Sequence, residues 1–173
     1  GGRIIVGDGG VIENGTLLVE GDRILAVGGT DSVDVPAGAE RIDLTGRTLM
    51  PAIIDTHVHL RETRDELVED LQRKAYYGVS AVLSLGRGVS ELAFQLRDEV
   101  VTNAARYLTV GRGITAPEPG RTEVPSWVTT EEEARAAVRE LVPQNVGMVK
   151  IWVDDRNGQF DKLTPELYGA VID

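Results

Sequence analysis

Apolar and polar positions alternate over short runs in the first fifty residues, and at helical spacing in the remainder. Residues 3–6, 16–20 and 23–27 are β-rich runs, and Gly21-Asp22 between the last two predicts a hairpin turn. Residues 41–44 and 47–50 flank Thr45-Gly46, which predicts a second hairpin. Gly9-Gly10, Gly28-Gly29 and the stretch from Pro36 to Gly38 break the pattern. Residues 1–50 therefore predict a small β-sandwich unit without chemistry of its own.

From residue 52 the period changes. Residues 53–60 are a near-continuous apolar strand, and residues 64–77 are a helix through Leu67, Leu71 and Ala75 that stops at Gly78. Strand 80–85, helix 91–104 and strand 107–110 follow, then a Gly/Pro-rich loop to about residue 125. Thr130 and Glu133 fit a capping box opening a helix to Leu141. Strand 148–153 comes next, and Thr164-Pro165 opens a fourth helix.

Four βα units whose strands are apolar on both faces imply a parallel sheet. The expected fold class is α/β: the first half of a (β/α)8 TIM barrel (residues 51–173) preceded by the small N-terminal β-sandwich unit (residues 1–50). A whole barrel has eight such units and typically about 250 residues. This chain has 173 and stops at Asp173 inside the fourth helix, so a truncated barrel is expected. An open α/β domain is the alternative. Gly111-Arg112-Gly113 follows a strand but lacks the rest of a dinucleotide fingerprint.

Composition narrows the partners. The net charge of −10 repels phosphates, which argues against nucleic acid and anionic membranes. No cysteine is present, so disulfides and thiolate metal sites are excluded. No apolar run approaches the roughly 20 residues that span a bilayer. A cytoplasmic location is expected, with a removed signal peptide upstream of Gly1 as the alternative. A small-molecule substrate is the expected partner, together with self-association of an isolated half-barrel.

The chemistry concentrates at Pro51-Ala52-Ile53-Ile54-Asp55-Thr56-His57-Val58-His59, which holds both histidines of the chain. Residues i and i+2 of a strand share a face, so His57 and His59 point the same way, with Asp55 one step behind. Two convergent imidazoles are half of a metal site. The bland reading is a chance pair on a surface strand. It is disfavoured by the apolar neighbours Ile53, Ile54, Val58 and Leu60, since buried unpaired imidazoles are costly. Lys150 lies in the apolar run Val149-Lys150-Ile151-Trp152-Val153. Burial there depresses a lysine's pKa and supplies neutral amine. The alternative is a lysine that snorkels or pairs with Asp154 or Asp155.

The nonapeptide resembles the first-strand signature of the amidohydrolase superfamily, Pro-Gly-x-x-Asp-x-His-x-His, with Ala52 in place of the usual glycine. Residues 149–158 resemble its imidazolonepropionase-like branch, and the whole chain resembles the first half of such a protein. The resemblance implies one or two divalent ions, zinc first, on His57 and His59. It implies a carbon dioxide-derived carbamate on Lys150 as a bridging ligand, and hydrolysis of C–N bonds in amides, cyclic amides or dipeptides. Asp55 is then an orienter of the ligands or an inward structural residue, in equal measure. The remaining ligands of the family lie on later strands, so the chain alone is expected to be inactive. Phosphoester hydrolysis on the same metals, and a non-catalytic half-barrel with a vestigial site, are the competing readings. Arg87 and Arg112 follow the second and third strands, where barrel loops contact substrate. Asp154 and Asp155 read mainly as turn residues, and Glu131 to Glu133 as helix capping. Trp127 lines a pocket or anchors its loop.

Overall fold

A computed structural model describes residues 1–173. The chain divides into two compact units, Gly1–Ala52 and Ile53–Asp173.

The first unit is one sheet with the order β3-β2-β1-β4. Its strands are β1 (Gly2–Ile5), β2 (Val11–Glu20), β3 (Arg23–Gly29) and β4 (Thr48–Leu49). β2 and β3 form the expected hairpin about Gly21, which adopts φ +58°. The second expected hairpin does not form, because residues 31–47 are irregular, and the expected β-sandwich unit is represented by this one four-stranded layer. Asp43 Oδ1 accepts hydrogen bonds from the Thr45 amide at 2.9 Å and the Thr45 hydroxyl at 2.7 Å. That closes a local turn, after which β4 pairs parallel, not antiparallel, with β1.

The second unit alternates strands and helices. β5 (Ile53–Val58), α1 (Arg64–Tyr76), β6 (Val79–Ser84), α2 (Glu91–Asp98) and β7 (Arg106–Thr109) come first. β5, β6 and β7 form a parallel sheet in chain order. β8 (Ile114–Thr115), β9 (Ser126–Trp127), α3 (Glu131–Leu141), β10 (Ile151–Trp152) and α4 (Pro165–Ile172) follow. β8 lies between β9 and β10, again parallel. The amides of Val110 and Gly113 donate to the carbonyls of Ser84 (3.2 Å) and Gly86 (3.1 Å), and Ile114 N donates to Lys150 O at 2.8 Å. Backbone pairing thus runs from β5 through β6 and residues 106–115 to β10.

Three expectations are corrected. α2 ends at Asp98, not 104, because Glu99 turns extended (ψ 143°) and Asn103 is left-handed at φ +57°. β-branched Val100, Val101 and Thr102 disfavour continuing a helix. The fourth strand is two residues long, Ile151–Trp152 rather than 148–153, and pairs with β8. The loop after β7 is therefore not structureless: it carries β8 and β9.

Helix α1 places Leu67 and Leu71 one turn apart, and they bury against Val58 and Val82 of the sheet, with Ala93, Leu96 and Tyr107 completing the cluster. A second cluster joins Ile114 and Val128 to Ala134 and Ala137 of α3 and to Leu163, Leu167 and Ala170. α3 starts as expected. The Thr130 hydroxyl accepts from Glu133 N at 3.2 Å, and Glu133 Oε2 accepts from Thr130 N at 3.1 Å. That satisfies two otherwise orphaned donors.

Candidate metal centre and its adjoining cavities

The histidine pair sits at the C-terminal end of β5. Val58 between them is buried among the helix-side residues, so His57 and His59 face the other way. Their ring centroids are 5.2 Å apart with the planes at 84°. Both side chains are largely exposed, so the expected cost of fully burying two imidazoles does not arise. Partial burial holds the His59 pKa below its ordinary value, helped by the positive charges of His57, Arg87 and Lys150. A neutral imidazole keeps its lone pair available for a metal.

Asp55 does not share their face. A register shift falls between Asp55 and Val58, which pair with Val82 and Ser84 of β6. Three residues of β5 thus span two of β6, and the bulge breaks the simple alternation. Asp55 Oδ2 accepts from Lys74 Nζ of α1 at 2.7 Å, and Oδ1 accepts from His57 N at 3.3 Å. The Lys74 hydrogen bond, then the His57 amide, hold the Asp55 carboxyl below the usual range. Asp55 thus ties β5 to α1 and to the His57 amide instead of facing inward beside the histidines.

Lys150 is half-buried and immediately precedes β10, rather than lying mid-strand in a sealed core. Its Nζ stands 5.3 Å from the centre of the Trp152 ring, a contact that offsets part of the desolvation of the ammonium. A Cβ added at Gly86, two residues past β6, would crowd the Lys150 stem. Arg112 is exposed and lines neither cavity described below.

Two cavities open beside His59, and Arg87 lines both. One, of about 260 Å³, is walled by Leu60, Arg61, Ser84, Gly88 and Tyr107 among others. Burial raises the Tyr107 pKa, with hydrogen bonds to Ser84 and Thr109 pulling the other way. The other cavity, of about 330 Å³, is walled by Glu118, Arg121, Thr122, Pro125, Trp152 and Arg156. Glu118 is 1% exposed. It accepts from Arg156 Nε at 2.9 Å and pairs with Arg121, and Arg156 also pairs with Asp154. Sequence reasoning missed Glu118, Arg121 and Arg156, because Pro117-Glu118-Pro119-Gly120 looks like an exposed turn. Trp127 lies on β9 and lines neither cavity.

No family model matches the chain. It is 30% identical over 134 residues to an imidazolonepropionase of Streptomyces griseus, covering 73% of this chain and 32% of that protein. It is 42% identical over 85 residues to a 5-methylthioadenosine/S-adenosylhomocysteine deaminase of Symbiobacterium thermophilum, covering 44% and 20%. Its structure matches the crystal structure of a putative prolidase from Bifidobacterium longum with a TM-score of 0.78 and 28% identity, over 98% of this chain and 44% of that one. The chain belongs to the amidohydrolase superfamily. It spans a third or less of these two curated relatives.

Amidohydrolases bind divalent metal as a family, so the donor set must be tested against one. No group of three or more His, Cys, Asp or Glu side chains converges anywhere in the chain. Two imidazoles on one face fit an ion, but a closed site needs about four ligands. A third donor from these residues requires Lys150 in an anionic form, because an ammonium repels a cation. His57 and His59 stand on one face, with Lys150 following immediately before β10.

Proposed function

We propose that this chain carries part of the catalytic centre of a metal-dependent hydrolase acting on C–N bonds of small molecules, in the imidazolonepropionase-like branch. The observation that carries the reading is the His57–His59 pair, held 5.2 Å apart at the C-terminal end of a parallel strand, with His59 lining two cavities. That strand end is where barrel enzymes place their chemistry. We read β5, β6, residues 106–115 and β10 as the first four strand positions of a (β/α)8 barrel, with Gly1–Ala52 as an accompanying β-unit.

His57 and His59 would hold a divalent ion, with zinc favoured by the imidazole donors, and Lys150 as carbamate would supply the third ligand. Bound there, the ion would polarise a substrate carbonyl and acidify water. The protein's own contribution is positional. Asp55 bonds the His57 amide and ties β5 to α1 through Lys74. Partial burial and neighbouring positive charge lower the His59 pKa, which favours its neutral form.

Metal content measured by plasma mass spectrometry tests the reading. The double variant His57→Ala/His59→Ala should lose nearly all bound zinc. Unchanged stoichiometry would remove the motif as the binding site. Added bicarbonate should raise uptake in the wild type and leave Lys150→Ala unaffected. Turnover of cyclic amides and dipeptides, set against phosphotriesters, reports the bond cleaved.

A further inference from the structure

His57 and His59 are not held alike. His57 lies inside β5, and its amide donates to Asp55 Oδ1 at 3.3 Å. His59 lies one residue beyond β5, past the last ladder pair of Val58 with Ser84. The sheet therefore leaves the second imidazole at the start of a connecting segment. A group that must be ordered at the moment of binding costs affinity, so a metal ligand placed there needs another restraint.

Two residues further on, α1 supplies one. Asp70 Oδ2 accepts from the Arg61 amide at 3.2 Å and from Arg61 Nε at 3.0 Å, and Oδ1 accepts from Nη2 at 2.7 Å. One carboxylate thus holds the main chain and the side chain of the same residue. Charged, two-pronged contacts of this kind are the strong class of hydrogen bond, and the Asp70 side chain is only 13% exposed. Nη2 also donates to Glu69 Oε2 at 2.8 Å and to the Glu66 carbonyl at 3.2 Å. Arg61 lines the 260 Å³ cavity with His59, yet its Nε and Nη2 are spent on α1. The same helix holds the other side of the motif. Lys74, one turn from Asp70 on the same face, donates to Asp55 at 2.7 Å. Asp55 stands two residues before His57, and Arg61 two after His59, so two ties to one helix bracket the pair.

We propose that Arg61 and Asp70 are positioning residues for His59: their contact fixes the chain just past the end of β5 and presents the imidazole already in place to a divalent cation. Arg61 is then a strut on the cavity wall rather than an arm that reaches for a ligand. This rests on the reading of His57 and His59 as metal ligands.

Two measurements on the whole chain test the proposal. Nitrogen-15 relaxation of the metal-free protein reads the positioning without any metal. The His59 amide should have an order parameter near about 0.85 in the wild type and about 0.6 or lower in Asp70→Ala, with His57 unchanged. Arg61→Ala keeps the amide contact and should show a smaller fall. Zinc affinity, read by competition with a chromophoric chelator, should drop about 10–100-fold in Asp70→Ala, with the stoichiometry at saturating zinc unchanged. Arg61→Lys keeps a charged donor and should retain part of the affinity that Arg61→Ala loses. Leu71→Ala is the control for stability, because it removes core packing from the same helix and leaves the tie untouched. Its His59 order parameter and zinc affinity should match the wild type. A His59 amide as rigid in Asp70→Ala and Arg61→Ala as in the wild type would overturn the proposal. So would an equal loss of zinc affinity in Leu71→Ala, since affinity would then follow stability, and so would full affinity in a variant whose His59 is loosened. A wild-type chain that holds His59 rigid and binds no zinc would instead overturn the metal reading of the histidines, leaving the tie in place.

Discussion

Trp127 carries a buried indole nitrogen with no hydrogen-bond partner. An unpaired buried donor costs about 1–3 kcal/mol, whereas its apolar replacement costs little. Trp127→Phe should therefore leave the thermal midpoint unchanged or slightly raised, and a fall of several degrees would contradict this. The variant also leaves Trp152 as the sole tryptophan, a useful reporter. A Cβ at Gly113 would lie 2.2 Å from the Trp152 ring. Gly113→Ala must push the indole from the cavity wall, at a cost of about 1–3 kcal/mol for overpacking. Trp152 emission in the Trp127→Phe background should shift, and an unaltered spectrum would mean that the ring stays in place. Asp55→Asn separates structure from chemistry. Breaking a pair whose side chains are each 33% exposed should cost under about 1 kcal/mol and leave zinc stoichiometry unchanged.

Helix α1 shows how an element is held at both faces. Its inner face buries Leu71 at 1% exposure, and Leu71→Ala should cost about 2–5 kcal/mol, measurable by denaturant unfolding. Its outer face is tied to the segment after the histidine motif. Arg61 Nε and Nη2 donate to Asp70 at 3.0 and 2.7 Å, and Nη2 also donates to Glu69 at 2.8 Å. The Arg61 hydrogen bond is the main reason that the Asp70 carboxyl lies below its ordinary value of 3.8. A carboxyl with a lowered folded-state pKa adds stability that is complete above 3.8 and is lost as pH falls through the lowered value. The thermal midpoint of the wild type should exceed that of Asp70→Asn at neutral pH, and the gap should close in acid below 3.8. A gap independent of pH would assign the effect to shape rather than to charge.

At the scale of the whole molecule, β5 is an edge strand of its sheet, and Ile53 and Ile54 are 50% and 56% exposed. Exposed apolar edges invite pairing with another chain. The net charge of −10 opposes association, but salt screens it. Light scattering of the 173-residue chain should show association that rises with salt. A sharp, salt-independent monomer would show that this edge is covered in solution.

Local rules were enough for much of this protein. Gly21-Asp22 in the β2–β3 hairpin, Thr130 with Glu133 at the start of α3, and Leu67 with Leu71 on α1 were all legible, because a turn, a cap or a helix face depends on residues a few positions apart. The His57–His59 pair was legible for the same reason: side chains two apart on a strand share a face. Asp55 was not, because a bulge set by pairing with β6 lies between it and Val58, and no residue of β5 announces it. Residues 41–44 lost their strand to the Asp43 turn, where a side chain outcompeted ladder pairing. Glu118 and Arg156 are 38 positions apart. Their meeting depends on β8 and β10 lying side by side, a long-range pairing that only the folded chain creates.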